Sequence, residues 1–566
     1  MDKTSQFEFR GSLNWTLTEP QEGLSASKAR LAIIIATRDR EAELQRCLES
    51  LANQVDPPPF QLIIVDDGSK QPPSQESLAR FGFPETAITK QNQLGIASAR
   101  NRGVWFAQAE WIVFIDDDCV LAPHTLRSLD SQMTSNKDSV AFQLELLGGH
   151  STLTHNMEEA RLVGIQSAMK NGDGTIDYLN TSGFAIRRDY AHSNYPLFNA
   201  NFIRSSDTGL LAKLNADGIT PRFAEGAIVN HNPSLDLLPY IKKHFRIGVH
   251  SIPAMRVLRA GTKGPGRKGR QNVMAAMRTH AKANGMPWST IPCITFGYAL
   301  ERLGRTWGKF STITPGRKKV LGCPVDAIRE EEVVERFTTS MRRGRGLRAT
   351  YLHAWSLTQS RRNPKFIDAL NQFDILIPDG MGVVLCLFLR HGTRSRKVTA
   401  NDFFSRLLGI CAADGYKVAL VGGEPHVAER GADILRTDHP DLSITHVANG
   451  YMSDHEQKAF LEQLQNDPPD LIALAAGQPA QELLAIEWSK ALPKTTFICV
   501  GGLFDYIVGT NVTPPQWIRR SGFEWLVRLA THPVRNFRRY VLGIPYLLII
   551  LSLDMLSAVG RRVSAT

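Results

Sequence analysis

The sequence predicts an α/β protein of two domains, each organised on a sheet of parallel strands. Residues 31–121 repeat a buried strand, a polar turn and an amphipathic helix, and residues 373–509 restart that rhythm with different turns. Between them, residues of about 255–320 turn basic and glycine-containing. At 566 residues the chain is also too long for one ordinary core.

The elements follow in order. "LAIIIATRDR" (31–40) is an apolar strand ending in a polar turn, and "EAELQRCLESLANQ" continues it as a helix. "FQLIIVDDGS" (60–69) is a second strand ending on two carboxylates and a glycine. "QNQLGIASARNRGVWFAQAE" supplies a turn and helix, and "WIVFIDDD" (111–118) a further strand. In parallel βαβ units ligands gather at the carboxyl ends of the strands, where each of these polar clusters falls. Three adjacent carboxylates, Asp116, Asp117 and Asp118, repel one another unless a cation or a turn relieves them, so they either hold a metal or cap the next helix. "RAGTKGPGRKGRQ" and "TPGRKKVLGCPVD" read as linker, with the domain boundary near 318. "FDILIPDGMGVV", "YKVALVGGEP", "PDLIALAAGQPAQE" and "TTFICVGGLFDYIVG" are the strands of the second half, each running into a glycine-containing turn.

The apolar fraction of 43% and charged fraction of 21% describe a globular chain. The formal net charge of +11 favours anionic partners: nucleotides, phospholipid head groups or phosphorylated substrates. No nucleic-acid reader motif accompanies it, so no nucleic acid is expected. Seven cysteines without C-x-x-C spacing read as reduced thiols of a cytosolic protein. The opening residues have no apolar core, so no signal peptide is expected. The run "YVLGIPYLLIILSL" is broken by Gly543 and Pro545 and is too short to span a bilayer.

The set "IIIATRDR", "IIVDDGS", "GIASARNRG" and "FIDDDCV", in that order and spacing, resembles the family 2 inverting glycosyltransferases of GT-A fold. The resemblance implies an N-terminal GT-A-like nucleotide-sugar domain. Thr37, Arg38, Asp66, Asp67, Arg100 and Asp117 would contact the donor, and Asp116 and Asp118 would hold Mg²⁺ or Mn²⁺, with His231 a ligand of that metal or of the phosphate. "FIRSSDTGLL" resembles that family's E-D-x-x-L segment, with Ser206 where glutamate is usual and Asp207 as the candidate base. Ser182 and Gly183 of "NTSGFAIRR" are candidate acceptor contacts, though they could equally form a plain turn.

In the second half, "PDGMGVV", "VTANDFF", "VGGEP", "AAGQPAQE", "VGGLFDYIVGT" and "GFEWLVRLATHPVRNFRRY" resemble the bacterial WecG/TagA/CpsF glycosyltransferases. The expectation is a Rossmann-like α/β domain with a basic helical tail, Asp379 as general base, and no metal. Donor contacts are expected from Gly422, Gln478, Gln481, Glu482, Gly501 and Asp505, and acceptor or lipid contacts from Arg528, Arg535, Arg538 and Arg539. The chain departs from that family's T-x-N segment by placing His353 where asparagine is usual.

The expected organisation is an extension at 1–29, the first domain at 30–255, a basic helical linker at 256–318, the second domain at 319–512, and a membrane-associating tail at 513–566. The reading these features support is a bifunctional, inverting glycosyltransferase. It would move sugars from nucleotide-sugar donors, UDP-sugars above all, to a polyprenyl-diphosphate-linked glycan at the inner face of the cytoplasmic membrane. In the alternative reading only the N-terminal half is catalytic and the C-terminal half docks the lipid acceptor.

Overall fold

The computed structural model describes residues 29–83, 86–91, 93–148, 152–200, 206–231, 237–251, 267–311, 316–510, 524–531, 537, 541–543, 545–547 and 549–554. The chain divides into two compact units between Thr312 and Ile313.

The N-terminal unit holds strands β1 (Leu31–Thr37), β2 (Phe60–Asp66), β3 (Thr86–Lys90), β4 (Trp111–Asp116), β5 (Cys119–Leu121), β6 (Ala141–Gly148), β7 (Gly183–Arg187) and β8 (Arg222–His231). They form an eight-stranded sheet in the order β3-β2-β1-β4-β7-β6-β8-β5. From β3 to β4 the pairing is parallel, as the strand-turn-helix rhythm requires. Beyond β4 the expectation of parallel strands fails: β7 runs antiparallel to both β4 and β6. A strand buried on both faces is apolar whichever way it runs, so hydropathy alone does not set its direction. The reversal matters, because it brings the start of β7 to the carboxyl end of β4, with Gly183 opposite Ile115.

Both faces of this sheet are covered. Leu31, Ile33 and Ile35 pack with Leu44 and Leu48 of the helix Glu41–Ala52. Ala32 and Ile34 pack with Ala99 and Val104 of the helix Ile96–Phe106. This two-sided burial is why β1 and β2 read as unbroken apolar runs instead of alternating ones. Residues 267–311, within the stretch expected to link the domains, are largely helical. Arg267–Ala283 packs on the helix Leu153–Met169, and Thr290–Ser311 packs on Leu237–His250.

The C-terminal unit opens on an antiparallel hairpin, β9 (Gly316–Val320) and β10 (Cys323–Ala327). "TPGRKKVLGCPVD" is therefore not a linker over these residues, and the expected boundary at 318 falls inside β9. Leu321 and Gly322 both have positive φ, the two-residue turn that suits strand twist, while Val320, Cys323 and Val325 are buried. Leucine in place of the usual Asn or Asp hides the turn in sequence. Asp326 anchors the hairpin by accepting hydrogen bonds from Leu376 N (2.8 Å) and Arg317.

Six parallel strands follow, β11 (Arg348–Leu352), β12 (Ile375–Pro378), β13 (Lys417–Gly422), β14 (Ser443–Ala448), β15 (Leu471–Ala475) and β16 (Thr496–Cys499). Their order is β12-β11-β16-β15-β13-β14. From β11 the chain passes to β12 on one side and then crosses to β13 on the other. The switch point therefore lies between β11 and β16, where a doubly wound sheet opens its ligand crevice. Of the tail, Leu547, Ile550 and Leu551 join this unit's core, and Asp554 pairs with Arg390 at 2.8 Å. Leu542, Ile549 and Leu553 stay exposed.

Candidate functional sites

In the N-terminal unit, β1 and β4 are neighbours, so the turn after one faces the aspartates after the other. Thr37 Oγ1 donates to Asp117 Oδ2 at 2.8 Å. Arg40 donates to Asp117 Oδ1 at 2.8 Å and Asp118 Oδ2 at 3.0 Å, so the carboxylates are relieved in part by a cation the chain itself supplies. Burial pushes the Asp117 carboxyl up to about 6; Arg40 opposes this and the Asp118 charge reinforces it. Arg38 pairs with Asp39 at 3.8 Å.

Asp116 faces the other way. Arg100 Nη2 lies 2.5 Å from Oδ1, and Ser182 Oγ donates to Oδ2 at 2.7 Å. Burial works against its charge, but the Arg100 guanidinium and the Ser182 hydroxyl outweigh it and hold the carboxyl below its usual range. Arg100 Nη1 also reaches Ser206 Oγ at 3.4 Å, at the start of the helix Ser206–Ala216. Asp207 is the next residue. Burial raises its carboxyl above the ordinary value and the Asp116 charge adds to this, against the Thr208 N–H (2.8 Å) and Arg100. Gly183 is buried in β7, where a side chain would strike Leu146.

Asp66 ends β2 beside β1 and Asp67 follows it, both with their carboxylates already bonded. Asp66 accepts from Ser69, within its own turn. Asp67 Oδ1 accepts from Gln91 Nε2 and Leu94 N, both at 2.8 Å, and Oδ2 from Gly95 N at 3.0 Å. It thereby fixes the loop that leads into the helix Ile96–Phe106 and so aims Arg100.

His231 ends β8 directly opposite Cys119 of β5. Its Nε2 lies 3.5 Å from Asp118 Oδ1 and its Nδ1 3.7 Å from Glu158 Oε1. Asp118, Cys119 and His231 offer ligand atoms within 4.8 Å of one another. Asp116 is outside that group, because Arg100 and Ser182 take its two oxygens. The donor set fits a divalent cation: the Asp118 carboxylate and His231 Nε2, a hard oxygen and an imidazole nitrogen, converge at the ends of β4 and β8. Burial raises the Cys119 thiol well above its ordinary value, which leaves it a poor ligand for Mg²⁺ or Mn²⁺. Sequence reading missed Arg40 and Glu158. Arg40 stands in the same turn as Thr37, but nothing local says it reaches across to β4. Glu158 lies on a helix, meets the site at His231 Nδ1 (3.7 Å) and is held by Arg161 (2.8 Å) and Lys243 (3.6 Å).

In the C-terminal unit, Asp379 follows β12, and its N–H donates to Leu352 O at 2.7 Å. It stands close enough to Tyr351 that its charge, after burial, helps raise that phenol well above its ordinary value. Tyr351 is a site residue the sequence reading passed over; its hydroxyl is buried without a hydrogen-bond partner among the described residues. His353 caps the helix Ala354–Ser360: its Nδ1 accepts from Ser356 N at 3.0 Å, with Ser356 closing the capping box. The histidine thus performs at a helix start the hydrogen bonding that asparagine provides.

Glu482 is fully buried, and its Oε1 accepts from Thr350 Oγ1 (2.6 Å), Gln481 Nε2 (2.9 Å) and Gln478 Nε2 (3.0 Å). Burial raises its carboxyl despite these bonds. It was expected to touch a donor; the structure ties its Oε1 to Thr350 and the two glutamines, and its buried Oε2 has no hydrogen-bond partner among the described residues. Gln478 also donates to Tyr351 O (2.8 Å), and its Oε1 accepts from Ser356 (2.6 Å), so the loop after β15 is bound to the end of β11 across the switch point. Gly501 N donates to Gln481 Oε1 at 3.3 Å, and Asp505 lies in the first turn of the short helix Leu503–Ile507. Gly422 has φ 141° and meets Ala475, where an added Cβ would come within 2.5 Å of the backbone. Close approach of β13 and β15 is thus one reason for glycine there. Arg528 lies on the helix Glu524–Thr531, but its side chain is outside the described residues, as are Arg535, Arg538 and Arg539 altogether.

Comparison with known proteins assigns the two halves separately. Residues 32–195 match the family described as "Glycosyl transferase family 2", and residues 318–560 match the "Glycosyl transferase WecG/TagA/CpsF family". The chain is 29% identical over 180 residues to N-acetylglucosaminyldiphosphoundecaprenol N-acetyl-beta-D-mannosaminyltransferase of Bacillus subtilis (strain 168), covering 32% of this chain and 69% of that one. The enzyme of the same description from Bacillus spizizenii is 28% identical over 187 residues, covering 33% and 71%. Among solved structures, a mannosyltransferase from Pyrobaculum calidifontis in complex with GDP-Man and Mn²⁺ aligns at 16% identity and TM-score 0.34, over 50% of this chain and 84% of that one.

Proposed function

We propose, from the premise that residues 32–195 and 318–560 match two glycosyltransferase families, that the chain carries two inverting transfer sites. It would move sugars from nucleotide-sugar donors, UDP-sugars above all, to a polyprenyl-diphosphate-linked glycan in bacterial exopolysaccharide, capsule or O-antigen assembly. The two Bacillus relatives, named for transfer to N-acetylglucosaminyldiphosphoundecaprenol, support the acceptor class. The observation that carries the first site is the linkage of Arg100 to both Asp116 and Ser206, which sets Asp207 beside the aspartates that end β4.

In the first site Asp207 takes the proton of the acceptor hydroxyl as that oxygen bonds to the sugar and the nucleoside diphosphate leaves from the opposite face. Its raised proton affinity suits the task. Arg100 holds Asp116 ionised and steadies the helix start that presents Asp207. Asp118 and His231 would hold Mg²⁺ or Mn²⁺, which supplies positive charge against the departing diphosphate. In the second site Asp379 is the base. The Glu482-centred hydrogen bonds fix the loop after β15, and Gln478 and Gln481 flank the crevice where the donor would lie. The apolar and basic tail would keep the protein peripheral on the inner face of the cytoplasmic membrane, its exposed Leu542, Ile549 and Leu553 facing lipid.

The test is a panel of UDP- and GDP-sugars with a polyprenyl-diphosphate-linked acceptor, run on the wild type, Asp207→Asn and Asp379→Asn. Each variant should lose one transfer by about 10²–10⁴-fold and keep the other. If Asp379→Asn leaves every transfer intact, the second half is not catalytic, and the reading of it as a lipid-acceptor dock takes over.

A further inference from the structure

The N-terminal unit carries an apolar surface that neither transfer site uses. The helices Leu237–His250 and Thr290–Ser311 run parallel, with Gly297 against Tyr240, Gly304 against Phe245 and Gly308 against Val249. Side chains at Gly304 and Gly308 would meet backbone carbonyl oxygens at 2.2 and 2.5 Å, so these glycines let the two backbones meet closely. His244 Nδ1 and Glu301 Oε1, 2.9 Å apart and buried, join the pair from within.

With its buried face filled in this way, the helix Thr290–Ser311 presents a second apolar stripe to solvent. Phe296, Leu303 and Trp307 recur at seven and four residues, one line along the helix, roughly a third of a turn from the glycine face. They are 53%, 62% and 62% exposed, and Trp288, just before the helix, is 88% exposed. A core helix does not leave large aromatic residues in water, and a solvated face does not select them.

Charge says what covers the stripe. On the described residues of the two helices, Lys242, Lys243, Arg246, Arg302 and Arg305 stand against one acidic residue, Glu301, which is buried between them. Arg302, Lys242, Arg246 and Lys282 are exposed around the pair. Tryptophan, phenylalanine and leucine on one face with a basic flank is the composition of a helix that lies in an anionic lipid interface. No helix of the described residues is long and apolar enough to cross a membrane.

We infer that the N-terminal unit docks on anionic phospholipid bilayers through Trp288, Phe296, Leu303 and Trp307, independently of the C-terminal tail. The stripe belongs to the unit that also holds the Asp116–Asp118 site. The same helix pair brings Lys243 to within 3.6 Å of Glu158, the neighbour of His231.

The experiment is co-sedimentation of the full chain with vesicles of phosphatidylglycerol and phosphatidylethanolamine, and with vesicles of phosphatidylcholine alone. The wild type should bind the anionic vesicles in preference. The triple variant Phe296→Gln, Leu303→Gln, Trp307→Gln should bind them about tenfold more weakly or worse. The tail variant Leu542→Gln, Ile549→Gln, Leu553→Gln should retain part of the binding, and the two sets combined should lose more than either alone. Phe296 and Leu303 are more than half exposed, so the double variant Phe296→Gln, Leu303→Gln should leave the melting temperature and transfer to a water-soluble acceptor unchanged while weakening vesicle binding; this keeps a failure of docking distinct from a failure of the proposed activity. Vesicle binding that the helix variant leaves intact would overturn the inference. So would a wild-type dimer that the variant dissociates while vesicle binding stays the same, because the stripe would then be an interface between copies.

Discussion

Arg100 Nη2 lies 2.5 Å from Asp116 Oδ1, and the same guanidinium reaches Ser206, at the position where the resembled family has glutamate. One buried cation therefore serves both the end of β4 and the start of the helix that presents Asp207. Arg100→Ala would leave the part-buried Asp116 carboxylate with only the Ser182 hydroxyl, at a cost of about 1–3 kcal/mol in urea unfolding. Arg100→Lys keeps the charge but not the planar fork. It should unfold closer to wild type while the first transfer still falls at least about tenfold in kcat/KM. Wild-type transfer by Arg100→Lys would show that charge alone suffices there.

The pH profile of the first transfer follows from Asp207. The base must be ionised to act, and burial raises its carboxyl above the ordinary 3.8. Activity should be full on the alkaline side and fall as pH drops through the raised value, so the acid limb begins above the ordinary carboxylate range. A profile of kcat/KM against pH for that transfer alone would check this; a limb near 3.8 would contradict the assignment.

Chelation should separate the two sites. EDTA should abolish the first transfer, with Mg²⁺ or Mn²⁺ restoring it, and spare the second. Asp118→Asn and His231→Gln should each raise the metal concentration needed for half-activity, about 10–100-fold if they ligate directly. Equal sensitivity of both transfers to EDTA would sink the metal-free assignment of the second site.

His353 offers a clean test of a departure from family pattern. Because its Nδ1 caps the helix Ala354–Ser360, His353→Asn should keep stability within about 0.5 kcal/mol, whereas His353→Ala should cost about 1 kcal/mol. Denaturant midpoints of the two variants decide it. An asparagine variant as unstable as the alanine one would mean the ring, not the cap, is what matters.

Much of this site was legible before the fold was known. Apolar runs ended by Asp66, Asp116 and Asp379 place those carboxylates at the carboxyl ends of strands, because strand length and turn chemistry are local properties. The glycine-containing turns of the second half marked β12, β13, β15 and β16 for the same reason. The edge strand β14, "SITHVA", was missed because its half-exposed residues carry no buried-strand pattern.

What the sequence determined by itself, then, is that the apolar runs of β1, β2, β4, β12, β13, β15 and β16 are strands, where their polar ends fall, and that there are two such systems. Tertiary structure decided which ends meet. Arg40 reaches Asp117 and Asp118 across more than seventy positions of chain only because β1 and β4 pair. Ser182 meets Asp116 only because β7 enters the sheet reversed. Glu482, in the first turn of a helix, faces inward toward Thr350 because β11 and β15 lie on either side of β16. The exposed stripe of Thr290–Ser311 emerges only once glycine packing has taken the helix's other face. Hydrogen bonds and close packing act over a few ångströms of space, and no local pattern records which distant residues the sheet order brings within that reach.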